Sequence, residues 1–389
     1  MNLAVEFADR HVETVRTFFE RIDANAGILV DNIRKLAEIS APTFQEEKRT
    51  IYLKKAFEEA GLDDVHVLEK GSVLGYSRAR TENDTLLLAA HIDHVFPEGT
   101  DLTVRFDGDL MLGPGTGDNA ANVAGLIILA RLLGESGIAP VRNIAFCGTV
   151  REEGNGNLEG IGEVMNSLGD RLGSVIAVDG GSSAVVNRSL AVRRYLLSVE
   201  CSGGHSWGKF GNPSAIHVAA SIITALDSIE VPEEPKTTYN VGTIRGGSSV
   251  NAIARKCTAE IDLRSIELAC LTRLEGEFLK IIDDACAEDV DVKVKLIGDR
   301  PAASLEERHP LLQAVVDSAD YLGFDVKLSA SSTDAALPLS RGIPAVSFGI
   351  YRGGKGHTTD EFVEISSLII GMKRLALAVL IQAGVKERA

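Results

Sequence analysis

Three stretches decide how this chain folds: TLLLAAHID at residues 85–93, AANVAGLIILARLLGES at 120–136 and VRNIAFCGTV at 141–150. The first and third are continuous apolar runs of strand length, the pattern of strands covered on both faces. The second spaces its apolar residues as a helix does. After another helical stretch, SVIAVDGG at 174–181 repeats the strand signature. Strands alternating with helices predict an α/β layer with a mixed, largely parallel sheet. Ligands of such sheets gather beyond the carboxyl ends of the strands. There the chain places polar groups: His91 and Asp93 end the first run, Glu152 and Glu153 follow the third, and Asp179 ends the last.

Outward from this core, residues 9–40 show helical spacing, closed by Ser40-Ala41-Pro42, and Glu46 to Ala60 repeats it with Gly61 as a C-terminal cap. Near residue 190 the texture changes. RRYLLSVECSG (193–203), TTYNVGTIRGG (237–247) and ARKCTAEIDLRS (254–265) are short alternating segments, with helical stretches around 213–229 and 267–288. They predict a compact α+β insert over 191–299, ending near IGDRPAA. LLQAVVDSADYLG, the strand-like IPAVSFG and a final helix from Ile365 return to the α/β style. Residues 1–190 and 300–389 are therefore expected to build one domain around the insert.

A net charge of −15 and a pI near 5.1 over 389 residues argue against nucleic acid or an anionic membrane as partner. Cys147, Cys201, Cys257, Cys270 and Cys286 are scattered and form no CxxC pair, which fits a reducing compartment. The first residues mix charges throughout, unlike a signal peptide. Apolar stretches such as GLIILARLL read as too short or interrupted to span a bilayer. The expectation is a soluble, cytoplasmic protein.

The candidate chemistry rests on several residues, each with a plainer alternative. Adjacent carboxylates at Glu152-Glu153 are costly unless a cation neutralises one of them, or unless they form a solvated loop pair. Asp93 suits the orientation of a metal-bound His91, or the capping of a turn. Asp118, among the glycines of GPGTGDN, is either a helix N-cap or a ligand on a closely approaching backbone. Asp179 could cap the turn into GGSS, and His357, in GGKGHTTDE, could be a surface loop residue. Jointly they offer two histidines and several carboxylates, a donor set suited to zinc, cobalt or manganese. His205, in SGGHSWGKFGNPSAIH, is either a loop histidine beside a packed Trp207 or part of a lid.

The order of these motifs resembles the M20 family of metallopeptidases over nearly the whole chain, with GTVREEGNGNLEG and IGDRPAA most similar to its peptidase T-like, tripeptide aminopeptidase branch. The resemblance implies a zinc-exopeptidase-like catalytic domain with an inserted lid and dimerisation domain. It implies two Zn2+ per chain, with Co2+ or Mn2+ as substitutes: His91, Asp118 and Asp179 around one, and Asp118, Glu153 and His357 around the other. Glu152 would be the general base and Asp93 the residue orienting His91. His205, Asn251 and Arg264 look similar to lid residues that bind the substrate's carbonyl oxygen or carboxylate. Many relatives carry a lysine soon after the bridging aspartate, where this chain has Asn119-Ala120-Ala121. Aspartate at position 179 is similar to aminopeptidases and dipeptidases of the family, whereas glutamate there accompanies carboxypeptidases and deacylases. The expected function is an aminopeptidase on di- or tripeptides, acting as a homodimer paired through the insert. The rival readings are a carboxypeptidase or N-acyl-amino-acid deacylase on acyl-amino-acid substrates, and a catalytically silent peptide- or metabolite-binding protein.

Overall fold

The structure, a computed structural model, describes residues 2–77 and 84–386. The chain forms two compact units, residues 1–189 with 303–389, and residues 190–302.

The larger unit is built on a nine-stranded mixed sheet. Its central strands Asn143–Thr149, Thr85–His91, Leu172–Ala177 and Ala345–Ser347 run parallel. All 7 residues of Thr85–His91 and all 7 of Asn143–Thr149 are buried, which is why those runs carry no polar alternation. The flanks are antiparallel: Val73–Tyr76 and Asp63–Val67 on one side, Ala184–Ser189 and Ala303–Ser304 on the other. The parallel character is thus confined to the centre and to Lys327–Ser331, which pairs with Ala184–Ser189. Leu86, Leu87 and Leu88 are fully buried in one continuous core, where truncation of each to alanine costs about 2–5 kcal/mol. Helices Glu47–Glu59, Asn122–Ser136 and Glu159–Leu168 pack against these strands.

The helix Ile365–Ala383 corrects one expectation. By length and composition it could cross a bilayer, which the reading of short, interrupted apolar runs overlooked; 61% of its 18-residue apolar window is buried. Its burial in the core accounts for its composition. It carries Arg374, fully buried, which stacks 4.4 Å from the Phe348 ring centroid and donates to the Ser182 carbonyl at 2.7 Å.

A small four-stranded sheet joins distant parts of the chain: Arg352–Gly354, Phe362–Glu364, Leu110–Leu112 and Arg105–Asp107. Its pairs Phe362 with Leu112 and Val363 with Met111 bring the His357 loop beside the glycine-rich turn that carries Asp118.

The unit 190–302 has a four-stranded antiparallel sheet in the order Thr237–Gly246, Lys256–Ser265, Ala191–Cys201, Val290–Arg300. Along Lys256–Ser265 burial alternates residue by residue, the period of a sheet covered on one face. Helices Ala215–Asp227 and Leu268–Asp284 supply that cover. Gly204–His205 and Ala252–Ile253 form a separate two-stranded ribbon.

Candidate metal centre

His91 is the last residue of a central strand and its side chain is 2% exposed. Its Nδ1 lies 3.2 Å from the Asp93 carbonyl oxygen and 3.5 Å from Asp93 Oδ1. Those acceptors call for a proton on Nδ1, which leaves Nε2 as the atom that would ligate a metal. Nε2 faces Asp118 Oδ1 at 3.0 Å and Asp179 Oδ1 at 3.6 Å. Burial disfavours a charged ring, but the closeness of Asp118, Asp179 and Asp93 outweighs it and holds the imidazole pKa well above 6.5.

Asp118 sits in a turn that glycines make feasible. Gly115 adopts φ 69, and a Cβ on Gly117 would lie 2.6 Å from the Tyr351 ring. The Asp118–Asn119 peptide is cis. Asp118 makes no side-chain cap to the following helix, so the N-cap alternative is set aside. Instead its Oδ2 lies 3.1 Å from His357 Nε2, which is also 3.1 Å from Glu153 Oε1. Asp118 and then Glu153 push His357 up to about 10. The two histidines, against burial, hold Asp118 well below the usual carboxylate range.

Asp93 does more than face His91. Its carboxylate accepts the backbone N–H of Glu152 at 3.1 Å, that of Glu153 at 2.9 Å, and the Thr43 hydroxyl at 2.9 Å. It therefore fixes the glutamate pair, two buried residues that are 5% and 8% exposed. Asp179 accepts the Gly180 N–H at 2.6 Å.

The donor set fits a cation. His91, Asp118 and Glu153 each offer a ligand atom within 4.8 Å of the others. Asp118 Oδ1 is buried and, despite the 3.0 Å approach of His91, lacks a hydrogen-bond partner of acceptable geometry among the described residues. A buried acceptor without a partner is costly, and a cation in that position would satisfy it.

Sequence reading missed four supporting groups. Glu361, 1% exposed, accepts backbone N–H groups from Gly115, Gly117 and Asp118. Burial, and then the charge of Asp118, lift it to about 7 against those donors. Asp334, 2% exposed, accepts the Thr149 hydroxyl, and burial lifts it to about 6. Arg49 is fully buried and donates to the carbonyls of Ile39 and Ile92, each at 2.9 Å. Glu46 accepts the N–H of Arg151 at 3.1 Å. Glu361 and Asp334 stand in HTTDE and SSTDAA, where nothing local marks them as buried.

In the unit 190–302, His205 and Asn251 are neighbours: Ser206 N–H donates to the Asn251 carbonyl at 3.0 Å. His205 Nδ1 accepts from the N–H of Trp207 at 3.2 Å and of Gly208 at 3.4 Å, so Nε2 carries the proton. Trp207 is 88% exposed, so it is not packed beside the histidine. Arg264 lies on the four-stranded sheet and pairs with Asp262, which also binds Arg194 at 2.8 Å.

The model of peptidase family M20/M25/M40 matches residues 87–381, a span that holds His91, Asp118, Glu153, Asp179 and His357. A peptidase M20 domain-containing protein of Schizosaccharomyces pombe is 23% identical to this chain, covering 88% of it and 82% of that protein. Among solved structures, aminopeptidase PepT of Bacillus cereus shares the fold with a TM-score of 0.71 at 20% identity, covering 92% of this chain and 99% of that one. A Bacillus subtilis protein described as a dinuclear metal binding peptidase from the M20 family does so with a TM-score of 0.64 at 17% identity, covering 93% and 99%. Matched over most of its length, the chain belongs to peptidase family M20/M25/M40 and is a metal-dependent hydrolase.

Proposed function

We propose that the chain is a dinuclear-metal exopeptidase that releases the amino-terminal residue of di- or tripeptides. The observation that carries this reading is Asp118, whose two oxygens face different histidines at 3.0 and 3.1 Å. His91, Asp118 and Asp179 would hold one Zn2+, and Asp118, Glu153 and His357 the other; Co2+ or Mn2+ suits the same donors. Bound there, the ions acidify water and stabilise negative charge developing on the scissile carbonyl oxygen.

Glu152 is the general base, taking the proton of the attacking water and passing it to the leaving amine. Asp93 positions it through the 3.1 Å bond to its backbone N–H. His205, with its proton on Nε2, would donate to the substrate's carbonyl oxygen, with Asn251 beside it. Arg264 would take a substrate carboxylate by exchanging its Asp262 partner. Aspartate at position 179 and the likeness to aminopeptidase PepT support cleavage from the amino end.

Pairing of two chains through residues 190–302 is supported by the exposed edge strand Thr237–Gly246 and by Trp207, Phe210 and Val250, exposed at 88%, 92% and 103%. Sedimentation at working concentration should show a dimer, and a monomer removes that part of the reading. The cysteines are free, which supports a cytoplasmic location.

Hydrolysis of free di- and tripeptides, an amino-terminally blocked peptide and N-acetyl amino acids tests the specificity. Cleavage of the unblocked peptides alone is expected. Turnover confined to blocked or acetylated substrates would overturn the aminopeptidase assignment.

A further inference from the structure

We propose that Glu361 is a positioning residue that pre-forms the Asp118 side of the metal centre by clamping the glycine-rich turn to the segment that carries His357. The inference rests on the dinuclear reading above.

Glu361 stands four residues after His357 and directly before the strand Phe362–Glu364. That strand pairs with Leu110–Leu112, so Glu361 faces the start of the Asp118 turn. Its main-chain oxygen takes the Gly113 N–H at 2.9 Å. Its side chain continues the pairing where the strand stops. Oε2 accepts from Gly115 at 2.7 Å, and Oε1 accepts from Gly117 at 2.9 Å and from Asp118 itself at 2.7 Å.

A glycine-rich turn has many backbone conformations to lose, so it does not hold a ligand still unaided. Three donors converging on one buried carboxylate remove that freedom through charge-assisted bonds. The donors define the chemistry required: an acceptor at both side-chain oxygens. A carboxamide of the same shape offers one acceptor and sets an NH2 group against the remaining N–H. The arrangement links the loops of two proposed ligands that are 239 positions apart, so both should be set together.

Metal-free wild type, Glu361→Gln and, as a control on the strand that follows, the half-buried, Arg352-paired Glu364→Gln are titrated with Zn2+ against a competing chelator, and their metal-free melting temperatures are compared. Because Asp118 faces both histidines, both dissociation constants of Glu361→Gln should rise about 10–100-fold, while Glu364→Gln matches wild type. A purely structural role would lower the metal-free melting temperature and leave both constants unchanged, and that result overturns the proposal. A wild type that takes up no zinc overturns the dinuclear reading and the clamp with it, whereas equal affinities overturn the clamp alone. Should Glu361→Gln fail to fold, Glu361→Asp keeps the charge but shortens the reach by a methylene. It should bind zinc about tenfold more weakly, and wild-type affinity in it overturns the proposal.

Discussion

The two sides of Asp118 are built differently. On one side His91, 2% exposed, ends a central strand, and Asp93 holds its ring. On the other, His357, 56% exposed, sits in a loop where it and Lys355 adopt φ of 63 and 57, left-handed values uncommon for residues other than glycine. The strand-borne ligand is placed by the fold. The loop-borne ligand is placed by its charged partners Asp118 and Glu153 and by the pairing that ends at Glu361. In the proposed dinuclear centre, the His91 side would be fixed before metal arrives and the His357 side would depend more on the metal.

The largest expected effect falls on the group that both sides serve. Glu152→Gln should lower kcat by about 10²–10⁴-fold with the metal content of wild type. Undiminished turnover in that variant would contradict the assigned base. Next, the two histidines should not be equivalent. His357→Ala should fold as wild type and lose the ion on its own side. His91→Ala leaves Asp93, Asp118 and Asp179 without their shared cation, and its metal-free form should lose about 3–5 kcal/mol in urea unfolding. Equal losses of stability in the two variants would break the comparison.

Acid should sharpen it from the buried side. His94, 1% exposed, accepts the Ala41 N–H at Nε2 at 2.9 Å. Burial, and then the positive charge of Arg49, push it from 6.5 down to about 4. Between those values the unfolded chain binds the proton and the folded chain does not. The His94 contribution is therefore nil above pH 6.5 and lowers stability as pH drops from 6.5 toward 4, by about 3 kcal/mol at most. In His94→Gln the acid limb of a urea-stability profile should shrink by that amount, and an unchanged limb refutes the assignment. The smallest effect belongs to Trp207→Ala. At 88% exposure, its loss should shift folding stability by no more than about 0.5 kcal/mol. A larger drop in the isolated protomer would mean that the ring packs after all.

What could be read from the sequence follows from locality. The uninterrupted apolar runs at 85–91 and 143–149 announce strands covered on both faces, and with them a parallel centre. The polar residues that open loops just after those runs announce where a site would gather. The antiparallel flanks were not legible, because pairing direction depends on partners elsewhere in the chain. Glu361 was invisible for the same reason: its donors lie 243 to 246 positions away, and beside Glu364 it looks like any loop carboxylate. The bonds from Asp93 to the glutamate pair span 59 and 60 positions, so its spacing from His91 suggested only the nearer role. The apolar helix Ile365–Ala383 shows the converse, since composition alone does not tell a core helix from a membrane span.

The measurement that tests the central claim most directly is the number of zinc ions held per chain by wild-type protein at saturation, after free metal is removed. With His91 and His357 on opposite oxygens of Asp118, the account predicts two. A chain that saturates at one ion, or takes up none, would contradict it.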